Sequence, residues 1–197
     1  AMTNGELGKW ITKQEISWMM YDWANSAHSV IVVTILPIFF DTVAGYTADS
    51  VSSMSTWGFA TSLAMAIVAL SAPFLGVFGD IRDMRKKLFT AFLLLGVASV
   101  AGLAFTPLMD FTSSPTAAGK VAAMVMVLYI LSTIGFDASC IYYDAFLTDV
   151  TTEERMDSVS TLGYGLGYIG GSTIPLLIFL IMNAVGVPML TSLAIIF

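Results

Sequence analysis

The sequence predicts an all-α integral membrane protein, and three observations lead to this fold class. Of the 197 residues, 57% are hydrophobic and only 11% are charged, whereas a soluble domain carries about 25% charged residues. The apolar residues form long runs separated by short polar loops, and a run of about 20 residues is what a membrane-spanning helix needs. The basic residues lie almost entirely in alternate loops, which is typical of membrane proteins.

The apolar runs predict a transmembrane bundle over residues 13–197, preceded by a cytoplasmic N-terminal segment, residues 1–12. Two capping-box patterns, Thr12 to Glu15 and Thr151 to Glu154, predict where two helices begin. The last run is shorter than a spanning helix, so we expect the chain to be part of a longer protein. The spans are predicted at about 16–40, 56–79, 88–108, 121–146, 162–182 and, incomplete, 187–197.

The lysines and arginines predict the orientation of the chain in the membrane. Seven of the eight fall on the N-terminal side of the predicted bundle, and only Lys120 falls on the other. Because cytoplasmic loops are enriched in basic residues, the N-terminus is predicted to be cytoplasmic, at the plasma (inner) membrane if the source is bacterial. The seven are Lys9, Lys13, Arg82, Arg85, Lys86, Lys87 and Arg155.

Composition and motifs exclude several classes of function. The net charge is −6 and no helix carries a basic stripe, so we expect no nucleic-acid partner. The single cysteine, Cys140, lies within an apolar run, and no Cys and His cluster has metal-ligand spacing. Phosphate-cradling loops and nucleophile–base pairs are absent. We therefore expect no enzyme, no cofactor and no metal, and a small-molecule solute and the lipid bilayer as partners.

A polar stripe opens the first predicted span. At about 100° per residue, Asp22, Asn25, Ser26 and Ser29 share one helix face. Polar groups inside a bilayer are unfavourable unless they face protein or a water-filled cavity, so the stripe predicts a lined cavity. The alternative is an interface-level start to the span, with an aromatic belt of Trp18, Tyr21 and Trp23.

The fourth span repeats this pattern with Thr133 and Asp137, followed nearer the interface by Asp144. None of the predicted spans contains Lys or Arg, so Asp22 and Asp137 have no buried cationic partner in this sequence. Each carboxyl must then be hydrated, protonated, or paired with a cation from elsewhere. We predict a solute- and proton-binding set, with a hydrogen-bonded helix contact as the alternative for Asp137. The set is Asp22, Asn25, Ser26, Ser29, Thr133 and Asp137.

Three motifs together resemble the major facilitator superfamily, and within it the vacuole-effluxer-like branch, whose fungal members are autophagy-related vacuolar amino-acid effluxers. The first motif is the sequence YDWANSA at 21–27. The second is the loop after the second span, GVFGDIRDMRKK at 76–87, in which Asp83 stands where the superfamily usually has a second glycine. The third runs from Tyr143 through the glycine-rich start of the fifth span to Gly171.

The resemblance implies the N-terminal six-span half of a twelve-span secondary transporter, with the first and fourth spans facing each other across a central cavity. It also implies export of a small solute such as an amino acid, driven by protons. The missing C-terminal half, or a second copy, would then be a partner. The loop of the second motif would form a latch to that half, although it could also be an ordinary positive-inside loop. The latch residues are Gly76, Asp80, Arg82, Arg85 and Lys86.

Two other classes of function remain open on the sequence alone. One is a non-transporting membrane scaffold or receptor, which would have no need to bury polar stripes. The other is a half-length chain that assembles into a transporter or pore. The glycines of the fifth span predict close helix packing first and flexing second.

Overall fold

The computed structural model describes residues 11–197, apart from the side chains of Ser50 and Arg82. All but two residues of the predicted 1–12 segment therefore lie outside the described residues. The described part is all-α, without a β-strand, which confirms the all-α part of the predicted fold class. Its helices are α1 (Lys13–Thr34), α2 (Leu36–Ala44), α3 (Ser50–Gly79), α4 (Arg82–Phe105), a 3₁₀ turn (Thr106–Leu108), α5 (Pro115–Val150), α6 (Glu153–Leu166), a π-helical segment (Gly167–Thr173), α7 (Ile174–Ala184) and α8 (Met189–Ile196).

Among the described residues, five helical stretches are long and apolar enough to cross a membrane, and we number them as spans in chain order. The sixth apolar run holds only α8, which has 8 residues and is too short to cross. The five spans are Lys13–Ala44, Val51–Gly79, Asp83–Leu108, Pro115–Val150 and Glu153–Ala184.

The first span begins at the predicted capping box and is interrupted in its C-terminal half. The Thr12 side chain accepts a hydrogen bond from the Glu15 backbone, while the Glu15 carboxylate accepts one from the Thr12 backbone. α1 ends at Thr34 and α2 starts at Leu36. Pro37 causes this break because proline has no backbone N–H to donate to the preceding turn.

The third and fourth spans pack most closely where two glycines meet. A Cβ added to Gly135 would lie 2.5 Å from the backbone nitrogen of Gly96, so neither position has room for a side chain between the helices. Such small-residue contacts are how helices associate in lipid. The contact also fixes the rotation of the fourth span, and thereby which of its side chains face the first.

The fifth span departs from a regular α-helix where it meets the first. Its π-helical segment, Gly167–Thr173, is followed by Pro175, which cannot donate a hydrogen bond to the preceding turn. π-helical insertions of this kind are frequent at functional sites. Four of the five predicted glycines of this span pack against the first span, which confirms the packing interpretation for those four. They are Gly163, Gly167, Gly170 and Gly171.

The prediction of a second capping box is wrong, because its side-chain hydrogen bonds do not form. A helix, α6, does begin at this place, after Thr152. No side-chain cap forms there. The Thr151 hydroxyl instead donates to the Glu15 carboxylate at 2.8 Å, across 136 residues of sequence. The Thr151 hydroxyl, which the local pattern assigned to the start of α6, is therefore used in a tertiary contact with Glu15.

Candidate functional site

Asp22 is buried where the first span packs against the fifth, with only 8% of its surface exposed. One carboxylate oxygen, Oδ2, is fully enclosed and has no hydrogen-bond partner among the described residues. The neighbouring residue of the fifth span is Gly167, at which an added Cβ would lie 2.2 Å from Oδ2. Glycine is therefore required at 167 for the carboxylate to occupy this place.

An open groove of about 390 Å³ lies beside Asp22, between the first and fifth spans. Three of the four residues of the predicted stripe line it, namely Asp22, Ser26 and Ser29. This agrees with the helical spacing that grouped them. Asn25 is half-buried and is not among the lining residues.

The opposite wall of the groove comes from residues that the sequence reasoning missed. Tyr164, Tyr168 and Ser172 follow one another at intervals of four along the fifth span and share a face. This spacing is visible in the sequence. The fifth span was nevertheless interpreted only as a packing helix, because of the glycines between these residues. Val30, Val33 and Thr34 of the first span complete the lining.

Asp137 does not line this groove. It is half-buried on the fourth span, where its charge lies near Tyr21. Successive residues of a helix point about 100° apart, so Tyr21 and Asp22 face different neighbours. One turn away from Asp137, Thr133 is buried and its hydroxyl has no partner among the described residues.

The face of the first span toward the fourth is held by specific contacts. Trp18 stacks on Tyr143 at a centroid distance of 4.4 Å and donates to the Tyr143 backbone carbonyl at 3.0 Å. Tyr21 shares a hydrogen bond with Ser139. His28 shares a 3.1 Å hydrogen bond with Ser132, which confirms it as a helix-contact residue.

A second acid acts on Asp22 from the fourth span. Asp144 is exposed, and its charge lies close enough to influence the Asp22 carboxyl. The charges of both acids also act on Tyr164.

The predicted latch loop makes contacts within this half. Asp80 is exposed and caps the C-terminal end of α3 through its backbone. Arg85 donates to the Gly79 carbonyl at 2.8 Å and pairs with Asp149 at 2.9 Å. Asp149 was not among the predicted latch residues. Apart from chain neighbours and the backbone of the same helix, no described residue has a heavy atom within 4 Å of a Cβ added at Gly76, and the side chain of Arg82 lies outside the described residues.

A buried ion pair ties the start of the first span to the start of the fifth. Glu15 is fully buried, and its carboxylate accepts a 3.0 Å hydrogen bond from Arg155 as well as the one from Thr151. Glu15 and Asp22 are seven residues apart, so they lie on the same helix face. The pair therefore fixes the register in which Asp22 meets Gly167.

A larger open groove of about 550 Å³ lies between the first, third and fourth spans. Its lining is mainly aromatic, with Lys13 and Lys86 contributing the charged groups. Lys86 is thus the one predicted latch residue found there. None of the predicted solute-binding residues lines this groove, so the groove beside Asp22 is the better candidate site.

Comparison of the sequence with known proteins shows which family the chain belongs to. Residues 45–154 match the family described as vacuole effluxer Atg22 like. The chain is also 41% identical over 172 residues to YxiO of Bacillus subtilis (strain 168), described as an uncharacterized MFS-type transporter. The alignment covers 86% of this chain and 37% of the relative, so the chain spans well under half of the relative's length. No solved structure matches the chain.

Proposed function

Because the chain belongs to the vacuole effluxer Atg22-like family of MFS-type transporters, we propose that it is the N-terminal half of a proton-coupled secondary transporter that exports a small solute such as an amino acid. In this half, α8 begins the last of six spans. The observation that supports a solute site most strongly is the groove in which Asp22 is buried without a partner for Oδ2. A scaffold would have no reason to maintain an unpartnered carboxylate inside a bilayer.

The proposed mechanism is alternating access around this groove, in which the two halves of the transporter expose a shared site to each side in turn. Asp22, Ser26 and Ser29, which line the groove, contact the solute from the first span. On the fourth span, Asp137 takes up a proton from the more acidic side and releases it to the other. Thr133, whose hydroxyl has no partner among the described residues, lies one helical turn from Asp137 and assists.

The partner of this half is proposed to be a C-terminal half in the same chain. The N-terminus lies in the cytoplasm, which places the basic loop and the ion pairs of Glu15 and Arg85 on the inner side of the plasma membrane. There the loop from Gly76 to Lys86 acts as the latch that closes the inner side.

The test is transport by the full-length protein in liposomes, with a mixture of radiolabelled amino acids and an imposed pH gradient. Asp137→Asn keeps the shape of the side chain and removes its titration. We expect this variant to lose pH-driven accumulation and to retain exchange of labelled for unlabelled solute. The matched control is Asp110→Asn, in an exposed loop, which should behave as wild type. Wild-type pH dependence in Asp137→Asn would rule out proton carriage by this residue.

A further inference from the structure

The groove beside Asp22 has a lining whose charge and chemistry favour one kind of ligand group. It contains one carboxylate, two phenol rings and several hydroxyls, and none of the described residues that line it is basic. Both tyrosines remain accessible, Tyr164 at 49% and Tyr168 at 73% exposure. The groove can therefore present a negative charge, aromatic faces and hydrogen-bond acceptors to the same ligand.

The carboxylate of Asp22 requires a positive or proton-donating partner. A buried carboxylate without a counter-charge is strongly unfavourable, and none of the described residues that line the groove beside Asp22 is basic. Asp144 makes the surroundings more negative, since its charge acts on both Asp22 and Tyr164. An anionic or neutral ligand group would leave this imbalance in place, whereas an ammonium group would neutralise it.

The other lining residues suit the same group. An ammonium over the face of a tyrosine ring is attracted by the ring's negative face, and this attraction strengthens when water is excluded. Ammonium has three N–H donors and no acceptor, so it needs oxygen acceptors around it. The hydroxyls of Ser26, Ser29 and Ser172 provide them.

We propose that this groove is a subsite for the ammonium group of the transported solute, with Asp22 as its counter-charge. Tyr164 and Tyr168 form the aromatic wall, and solutes that lack the positive charge are rejected. The proposal rests on the proposed function in taking the ligand to be the transported solute. The groove's volume of about 390 Å³ is within the usual range of small-molecule sites.

The experiment measures binding by purified full-length protein in detergent, without any gradient, by isothermal titration calorimetry. The probes are phenethylamine, tyramine and leucine methyl ester, each compared with its uncharged N-acetyl counterpart. We expect at least one ammonium probe to bind, and its N-acetyl counterpart to bind about tenfold more weakly or not at all. Asp22→Asn should weaken that probe by about tenfold or more, since it removes the charge while keeping the shape.

Tyr168→Leu is the second variant, because Tyr168 is exposed and its replacement is not expected to disturb folding. It should weaken the ammonium probe several-fold and leave the already weak N-acetyl probe unchanged. Asp110→Asn, outside the groove, should bind as wild type.

Three results would each overturn the proposal: no ammonium probe binds, N-acetylation makes no difference, or Asp22→Asn binds the probe as tightly as wild type. Because binding is measured without a gradient, these results are separate from the transport test. Charge-dependent binding without pH-driven transport would contradict only the proposed coupling. pH-driven transport with charge-independent binding would contradict only the ammonium subsite.

Discussion

The Asp22 carboxylate lies against Gly167, and this close approach gives a prediction at the scale of one residue. A methyl group at position 167 would lie 2.2 Å from the Asp22 carboxylate, so Gly167→Ala must displace the Asp22 side chain or separate the first and fifth spans. Overpacking of this kind destabilises by about 1–3 kcal/mol. We expect a lower thermal unfolding temperature in detergent, together with weaker solute binding.

The matched control for this prediction lies two residues away. No heavy atom of the described residues lies within 4 Å of a Cβ added at Gly165, and alanine is the better helix former by up to about 1 kcal/mol. Gly165→Ala should therefore be neutral or stabilising. Equal unfolding temperatures for the two variants would mean that the contact at Gly167 is looser than the structure has it.

The sequence alone identified the wall of this site that the first span forms, but not the wall that the fifth span forms, and this difference has a physical cause. Helical periodicity alone groups Asp22, Ser26 and Ser29 on one face, because that grouping depends only on residues of one helix. Which helix lies opposite depends on packing. The rotation of the fourth span depends on contacts such as that of Gly96 with Gly135, which no local pattern reveals, and Asp137 does not line the groove beside Asp22.

At the scale of helices, local patterns in the sequence predicted the residues at which helices begin. They were less successful in predicting the hydrogen-bond partners at the helix ends. The capping box at Thr12 forms as expected because both of its groups are local. The one at Thr151 is replaced by a bond to Glu15, which only the fold brings near. The first span was predicted as one run at about 16–40, and its helix breaks at Ile35, two residues before Pro37.

Removing the charge of Asp80, at the end of α3, tests the proposed latch. Asp80 places a negative charge at the C-terminal end of a helix, where the helix dipole disfavours it. Asp80→Ala should therefore not destabilise this helix, and any loss of transport must have another cause. We expect transport to fall while the amount of protein in the membrane is unchanged. Glu154→Ala removes the same charge from an exposed position and is the control.

Unchanged transport in the Asp80→Ala variant would mean that the loop from Gly76 to Lys86 only sets the topology. Reduced transport in both variants would point to a general effect of charge on this side of the membrane rather than to a latch. Membrane abundance, measured by immunoblot of the same vesicles, separates either result from poor insertion.

At the scale of the whole molecule, the distribution of basic residues predicts the orientation of every span. A reporter fused after Lys87 or Arg155 should be on the cytoplasmic side. One inserted near Asp49 or Ser114 should be on the opposite side, because these positions lie at the other ends of the spans. A cytoplasmic signal from the insertion near Asp49 would contradict the orientation of the whole bundle.

The central claim about this protein is that the groove beside Asp22 is a water-filled solute site rather than a dry helix contact. The direct measurement is the reaction of a cysteine at position 26 with a hydrophilic maleimide in membranes, in a Cys140→Ser background that removes the sequence's one native cysteine. The reactive form of cysteine is the thiolate, which needs water to form. The control is Leu70→Cys, on an apolar surface of the second span that is 75% exposed and that we expect to face lipid. We predict that Ser26→Cys is labelled and that bound solute protects it, while Leu70→Cys is not labelled. A Ser26→Cys protein as unreactive as Leu70→Cys would contradict the account.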